Sequence, residues 1–376
     1  MLSLYLHIPF CVRKCLYCGF YSTSYSPQQA FAYVSALQLE AARYKGNFSK
    51  AVFDSVYIGG GTPTVLSREQ WVSIFKIVRE NFRLSEDAEF TVEANPNTVA
   101  VDSIAFLRAH GVNRLSIGVQ SFSDRVLKTL GRAHTAAQAE EAFKTARNAG
   151  LENIGIDLIY GVPGQSHDEW TSSVHRALTL EPEHISSYCL SLDEGSQFMR
   201  EAEAGRLALP DDDVAARMYE FALRALTGAG YRHYEISNFS LSGYECLHNM
   251  NYWERGEYLG LGPGASSFIS GKRYHAVADI HEYTRRLTAG LSIVEDVETV
   301  KNGPAAEETI MLGLRTDKGI DLRKYEQEFG PEASRYLEAC IDTLRDSGLV
   351  RVRDGRLMLT DRGVLLSDEA LARLFP

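Results

Sequence analysis

The chain has 376 residues, of which 45% are hydrophobic and 23% are charged, and its formal net charge is -10. This composition is typical of a soluble globular protein of two or three domains, and the acidic balance disfavours a nucleic acid partner. No apolar run approaches the ~20 residues of a membrane-spanning helix, and the N-terminus lacks the order of a signal peptide, so we expect a cytoplasmic protein.

The first 230 residues alternate short β-branched runs with amphipathic stretches. This pattern predicts six consecutive βα units around a parallel sheet, and therefore an α/β fold with an open, partial (β/α)6 barrel over residues 1–230. The predicted strands are residues 2–8, 55–58, 89–93, 114–119, 155–159 and 184–190. The predicted helices are residues 30–44, 68–81, 101–110, 136–149, 168–180 and 212–229.

The remainder of the chain has a different texture. Residues 231–303 are rich in Gly, Tyr and His with little clear period, which predicts an irregular segment that closes one face of the barrel. Residues 304–376 show two helical patterns and then a hairpin over residues 349–359, with its turn at residues 353–356. Helices followed by a small hairpin predict a winged-helix-like α+β module at the C-terminus.

The strongest chemical signal is the C-x3-C-x2-C run of Cys11, Cys15 and Cys18, directly after the first strand. Parallel barrels place their functional loops at this end of the strands. The other three cysteines are scattered, so the pattern does not suggest a disulfide framework. Three thiolates fit three corners of a [4Fe-4S] cubane and leave one iron for an outside ligand. By spacing alone, a zinc site or unrelated core cysteines remain alternatives.

Polar side chains also follow or lie within the predicted strands. Glu93 follows the third strand, Gln120 follows the fourth, and Asp157 lies within the fifth. Buried carboxylates must be paired or ligand-bound, so these residues predict a polar ligand at the barrel mouth. A structural hydrogen bond or salt bridge is the alternative for any one of them.

The cysteine loop and the glycine-rich residues 59–63 after the second strand resemble the radical S-adenosylmethionine (SAM) superfamily. The resemblance implies that the free iron of the cluster binds the amino and carboxylate groups of SAM. It also implies a set of SAM-binding residues: Tyr5, Tyr17, Gly60, Gly61, Thr62, Glu93, Gln120, Arg132 and Asp157.

Residues 4–11 and 118–122 are similar to the branch that contains oxygen-independent coproporphyrinogen III dehydrogenase and the haem chaperones. The dehydrogenase carries a further cysteine where this chain has Phe20, and it has an N-terminal extension, whereas the first predicted strand here begins at residue 2. Residues 248–253 match the H-N-x-x-Y-W motif of the haem chaperones. The resemblance implies haem ligation by His248, with Cys246 as the alternative ligand and a purely structural turn as the alternative reading.

The resemblance predicts a haem chaperone, a binding and transfer protein rather than an enzyme, with a [4Fe-4S] cluster, SAM and haem. Its partner would be an acceptor haemoprotein, such as a respiratory complex at the membrane. One alternative is the dehydrogenase, which cleaves SAM reductively to attack the porphyrinogen propionates. Another is a tRNA-modifying radical SAM enzyme, which the acidic balance disfavours. The sequence leaves open whether the chain forms a homodimer.

Overall fold

The computed structural model of the protein describes residues 1–374, except for the side chain of residue 343. Within this range a twelve-stranded sheet is accompanied by a three-stranded and a two-stranded sheet. In chain order the strands are β1 Leu2–Ile8, β2 Phe10–Cys11, β3 Thr23–Ser24, β4 Val52–Gly60, β5 Arg83–Ala94, β6 Arg114–Gln120, β7 Asn153–Tyr160, β8 His184–Cys189, β9 Arg232–Glu235, β10 Asn238–Ser240, β11 Glu257–Leu261, β12 Ser266–Ile269, β13 Lys272–Ala276, β14 Val294–Thr299, β15 Ile320–Asp321, β16 Val350–Arg353 and β17 Arg356–Leu359.

Several α-helices begin at residues whose side chains cap them. Ser67, Thr135 and Ser166 each form a capping box with the Gln or Glu three residues later, and a helix begins directly after each of them. The helices are α1 Pro27–Tyr44, α2 Arg68–Asn81, α3 Val101–Ala109, α4 Asp124–Thr129, α5 Ala136–Asn148, α6 His167–Thr179, α7 Gln197–Glu203, α8 Asp212–Gly228, α9 Leu247–Trp253, α10 Ile280–Thr288, α11 Gly303–Gly313, α12 Leu322–Asp346, α13 Asp361–Leu365 and α14 Ser367–Leu374.

The predicted partial barrel is confirmed. Strands β1, β4, β5, β6, β7 and β8 are neighbours in this order, and all of these pairs are parallel. Along each strand, apolar residues such as Leu115 and Ile117 are fully buried in the main core. The residues that alternate with them, such as Arg114 and Ser116, are polar and line a cavity. Because side chains alternate across a strand, the sheet has an apolar face and a polar face.

Residues 231–303 are not irregular, and this expectation was wrong. Strands β10 and β9 extend the sheet beyond β8, while β11 pairs parallel to β1 and is followed by β12, β13 and β14. Each of these strands has only three to six residues and carries polar or glycine positions. Such short edge strands lack the apolar runs by which the barrel strands can be recognised.

The C-terminal module has its own apolar core, which includes Ile310, Leu337 and Leu357. Strands β16 and β17 form the predicted hairpin, with Asp354 and Gly355 at φ of 53° and 75° in the turn. Positive φ at both central residues is what a type I′ hairpin turn requires. β15 pairs with β17, and α12 is interrupted at Gly330.

Among the described residues, no helix has both the length and the apolar character needed to cross a bilayer.

Glu40 is a buried carboxyl group that joins α1 to the chain near Gly262 and to α10. Its Oε2 accepts a hydrogen bond from the Gly262 N–H at 2.8 Å and another from the Tyr283 hydroxyl. Burial raises the pKa of Glu40 from 4.5 to about 7. Between these values the folded protein holds a proton that the unfolded chain has released, so its stability falls as the pH rises through this window.

We therefore expect Glu40→Gln to reduce the loss of thermal stability between pH 5 and pH 8. Glutamine keeps an acceptor oxygen for both donors but cannot ionise, and the contribution removed is at most about 3 kcal/mol. Thermal unfolding at both pH values measures the difference, with the exposed Glu141→Gln as the control. An equal loss in native protein and Glu40→Gln would contradict the prediction.

Candidate functional site

A cavity of about 810 Å³ lies at the carboxyl ends of the barrel strands. Parallel sheets bind ligands at this edge because the loops that follow the strands converge there. Of the residues predicted for the cluster and SAM, all but Tyr5 line it: Cys11, Cys15, Cys18, Tyr17, Gly60, Gly61, Thr62, Glu93, Gln120, Arg132 and Asp157.

The three loop cysteines are free thiols along this cavity. Nη1 of Arg132 lies 3.3 Å from Sγ of Cys15, and the Thr62 hydroxyl donates to Sγ of Cys11 at 3.7 Å. Burial raises the pKa of Cys18 to about 11. A cation and a hydroxyl near the sulfurs stabilise thiolates, and metal binding displaces the remaining protons.

Within residues 1–374, no three His, Cys, Asp or Glu side chains lie close enough together to share one metal ion. The thiolates of a cubane bind three different irons, so they need not converge on one point. The donor set and its position on the cavity wall fit the [4Fe-4S] cluster that the superfamily resemblance implies.

The glycine run after β4 is packed too closely for side chains. A Cβ on Gly61 would lie 2.5 Å from the Phe10 carbonyl oxygen, and a Cβ on Gly60 would lie 2.5 Å from Nδ1 of His7. Gly60 also has a φ of 105°. The glycines therefore bring the backbone against the cysteine loop as well as into the cavity.

Glu93, at the end of β5, is held by the glycine run and by β4. Its Oε1 accepts from the Tyr57 hydroxyl at 2.8 Å, and its Oε2 accepts from the Gly60 N–H at 3.0 Å. Burial raises its pKa to about 7. Each carboxylate oxygen has a second lone pair, so Glu93 can still accept from ligand hydroxyl groups.

Gln120 and Arg132 carry polar atoms without partners among the described residues. Gln120 has a φ of 67°, and its buried Oε1 makes no hydrogen bond. Arg132 donates to the Asn95 side chain and the Gly118 carbonyl, while its Nε is unpaired. A strained residue and unpaired buried polar atoms are both typical of ligand sites.

Asp157 lies on the same inner face and accepts a hydrogen bond from the Ser116 hydroxyl. Burial raises the pKa of this carboxyl. Tyr17 borders the cavity beside Arg132, and burial raises the pKa of its hydroxyl. Tyr5 is placed apart from the cavity lining, with its hydroxyl 3.0 Å from Nδ1 of His7.

His248 lies on α9, beside the amino-terminal half of β4 and away from the cysteine loop. Only 1% of its surface is exposed. Its Nδ1 is 2.9 Å from Oγ of Ser55, and its Nε2 is 2.8 Å from the Tyr252 hydroxyl. Because Ser55 donates its own proton to Ser3, its oxygen accepts the Nδ1 proton, and Nε2 accepts from Tyr252. If His248 binds haem through Nε2, the hydrogen bond from Tyr252 to this nitrogen must be replaced by a bond to the iron.

Cys246, the alternative haem ligand, is fully buried at the start of α9, with its Sγ 3.5 Å from Glu89. Burial raises the pKa of this thiol to about 12. The neutral thiol is a weaker iron ligand than a thiolate, so the environment favours His248 over Cys246.

The sequence analysis missed several cavity residues that lie at the start or in the middle of β4, β6 and β8, away from the carboxyl ends of these strands. Their signal is the polar alternation in β4, β6 and β8, which shows that the inner face of the barrel is polar. The residues in question are Tyr57, Arg114, Ser116, His184 and Ser186, and Asn249 of α9 joins them.

Comparisons with known proteins agree with this geometry. A model of the radical SAM superfamily matches residues 5–177, and a model of the HemN C-terminal domain matches residues 304–366. The haem chaperone HemW of Lactococcus lactis is 37% identical over 99% of this chain and 96% of its own. That of Bacillus subtilis is 34% identical over 98% of each chain. The structure of coproporphyrinogen III oxidase (HemN) from Escherichia coli, a radical SAM enzyme, superimposes with a TM-score of 0.86 at 25% identity, over 99% of this chain and 89% of that one.

Proposed function

The chain belongs to the haem chaperone HemW family of the radical SAM superfamily, and we propose that it binds haem and transfers it to an acceptor haemoprotein. The observation that carries this proposal is the similarity to HemW proteins along the whole chain, including the C-terminal module. The superfamily also implies a [4Fe-4S] cluster and SAM.

In this proposal Cys11, Cys15 and Cys18 hold the cluster, which supplies one-electron chemistry toward SAM when both are bound. The chain's own residues bind and orient SAM at the cavity wall. Gly60 and Gly61 let the backbone approach it, and the remaining contacts come from Tyr17, Thr62, Glu93, Gln120, Arg132 and Asp157. Tyr5 is not assigned a contact with SAM, because its side chain lies apart from the cavity lining and its hydroxyl is next to His7. The unpaired atoms of Gln120 and Arg132 support this assignment.

We assign haem ligation to His248, whose pKa burial lowers to about 3. The ring is therefore neutral at physiological pH, which is the form that binds iron. The acceptor would be a haemoprotein such as a membrane respiratory complex, and a cytoplasmic location suits cysteines that must stay reduced. Residues 304–376 form the module that we propose for contact with the acceptor.

The second candidate function is oxygen-independent coproporphyrinogen III dehydrogenase. The superposition on HemN favours it, because this chain shares the fold of that enzyme over 99% of its length. Phe20 speaks against it, since the dehydrogenase has a cysteine at this position, whereas here an exposed aromatic ring stands at the cavity.

Parallel assays of the anaerobically reconstituted protein distinguish the two functions. We expect one haem to bind per chain and then to move to an apo-haemoprotein. Changes in haem absorbance measure both steps. Coproporphyrinogen III should not be decarboxylated in the presence of SAM and a reductant, with Escherichia coli HemN as the positive control. Turnover to protoporphyrinogen, or an absence of haem binding, would contradict the chaperone.

A further inference from the structure

The floor of the cavity contains a cluster of buried polar side chains to which the SAM and cluster assignments give no role. Arg114 lies at the start of β6 and His184 at the start of β8, and they are 2% and 1% exposed. Both line the cavity, as does Ser116. A guanidinium buried this deeply is costly unless it is paired.

Gly155 of β7 leaves a space between these side chains. A Cβ built on Gly155 would lie 3.4 Å from Nδ1 of His184, 3.5 Å from Oγ of Ser116 and 3.7 Å from Nη2 of Arg114. Three polar atoms from β6 and β8, the two strands that flank β7, therefore converge on one small volume. Only a glycine at this position keeps that volume free of carbon.

Two of the side chains around this space have unpaired polar atoms. Nε of Arg114 and Nδ1 of His184 make no hydrogen bond with any residue that the structure describes. In residues 1–374, Arg114 also forms no salt bridge, although the carboxyl groups of Glu89 and Asp157 lie near enough to interact with its charge. Buried donors without partners are rare, and a ligand is one explanation for them.

The hydrogen bonds around His184 indicate where its proton lies. The Tyr234 hydroxyl accepts from the Cys246 N–H at 3.3 Å, and its remaining partner is Nε2 of His184 at 2.8 Å. Tyr234 therefore donates to Nε2, and the ring proton is on Nδ1, which faces the space. The Ser116 hydroxyl donates to Asp157, so its proton is not available to a ligand in the space.

We propose that Arg114 and His184 form a subsite for the carboxylate group of a ligand bound in the cavity. A guanidinium with unpaired N–H groups and a neutral imidazole N–H offer donors and one positive charge, which is the complement of a carboxylate. The carboxylate is a propionate of haem, because the carboxylate of SAM is already assigned to the free iron of the cluster. This source rests on the proposed function, and it is supported by Asn249 of the H-N-x-x-Y-W motif, which lines the same cavity.

Gly155→Ala tests the subsite without removing any of its charges. The contacts of the added methyl group are ordinary van der Waals distances, so the barrel should fold, while the space for a carboxylate oxygen is filled. The matched control is Gly228→Ala at the end of α8, where a Cβ has no atom within 4 Å. Thermal unfolding and iron content establish that both variants are intact.

Two pairs of ligands that differ in their carboxyl groups are titrated into the full-length, cluster-loaded proteins. The test pair is haem and haem dimethyl ester, and the control pair is SAM and decarboxylated SAM, whose carboxylate is assigned to the cluster iron. We expect the native protein to prefer haem over its dimethyl ester by about tenfold or more, since hydrogen bonds to charged groups are worth that much. In Gly155→Ala this preference should fall at least tenfold, and in Gly228→Ala it should be unchanged.

The preference within the SAM pair should be the same in the native protein and in Gly155→Ala. If haem binds and its preference over the dimethyl ester does not change in Gly155→Ala, the subsite is wrong while the proposed function stands. If haem does not bind to the native protein, the proposed function fails and the subsite fails with it. Arg114→Lys should weaken the preference for haem over its dimethyl ester, because lysine keeps the charge but loses the planar fork of donors.

Discussion

Replacing Cys15 with serine should abolish assembly of the [4Fe-4S] cluster and, with it, tight binding of SAM. Iron in such clusters is held by thiolates, and a cubane that already lacks a fourth cysteine has no spare protein ligand. Nη1 of Arg132 lies 3.3 Å from Sγ of Cys15, so Cys15 also connects the cluster loop to the predicted SAM residues. Iron and sulfide content after anaerobic reconstitution should fall from a full complement to near zero, and equilibrium dialysis should show no SAM retained.

Cys189→Ser is the matched control for this experiment. Cys189 is an exposed free cysteine in the same cavity but lies outside the loop, at the end of β8. It should retain the iron content of the native protein. A cluster that persists in Cys15→Ser and disappears in Cys189→Ser would show that the loop does not hold it. Zinc without iron in the native protein would support the zinc alternative that the spacing alone leaves open.

Much of the barrel could be predicted because its local signals agree with its packing. Strand β1 and helix α2 have the predicted bounds, residues 2–8 and 68–81. β1 alternates apolar residues with Ser3, Tyr5 and His7, as a strand does, and α2 begins at a capping box formed by Ser67 and Gln70. In both cases the residues that define the element are neighbours in sequence, so no knowledge of distant contacts is needed.

The edge strands and the inner face of the barrel depend on distant contacts, and they were harder to predict. β11 has five residues and becomes part of the sheet by pairing with β1, more than 250 residues earlier in the chain. Likewise, Arg114 and His184 become neighbours only when β6, β7 and β8 pair. Glu93, Gln120 and Asp157 suggested a ligand from the sequence, whereas the polar residues nearer the amino ends of the strands looked like ordinary variation until the pairing of the strands brought them together.

The surroundings of His248 were also beyond the sequence. Its partner Ser55 lies 193 residues away, and the N–H groups at the start of α9 are bound by Glu89 of β5. The motif therefore predicts a haem ligand at His248, but it does not predict that the ring is buried and hydrogen bonded. This burial makes its replacement both a test of haem binding and a test of stability.

His248→Ala should weaken haem binding at least tenfold and lower the stability of the protein by about 3 kcal/mol. The stability loss follows from two broken hydrogen bonds and a cavity among Tyr5, Tyr57 and Tyr252. The affinity loss follows if Nε2 is an axial ligand of the iron. Haem titration and the absorbance of the ferric complex measure the first effect, and thermal unfolding measures the second. His281→Ala, on the exposed surface of α10, controls for nonspecific ligation.

Tyr252→Phe separates ligation from structural support. In the haem-free protein the Tyr252 hydroxyl donates to the Nε2 lone pair that iron would need, so the two compete. Removing the hydroxyl while keeping the ring should therefore tighten haem binding by about twofold to tenfold, the worth of one ordinary hydrogen bond. If His248 only supports the fold, Tyr252→Phe should leave haem affinity unchanged while lowering thermal stability. If Cys246 is the ligand, Cys246→Ser should abolish binding and Tyr252→Phe should not improve it.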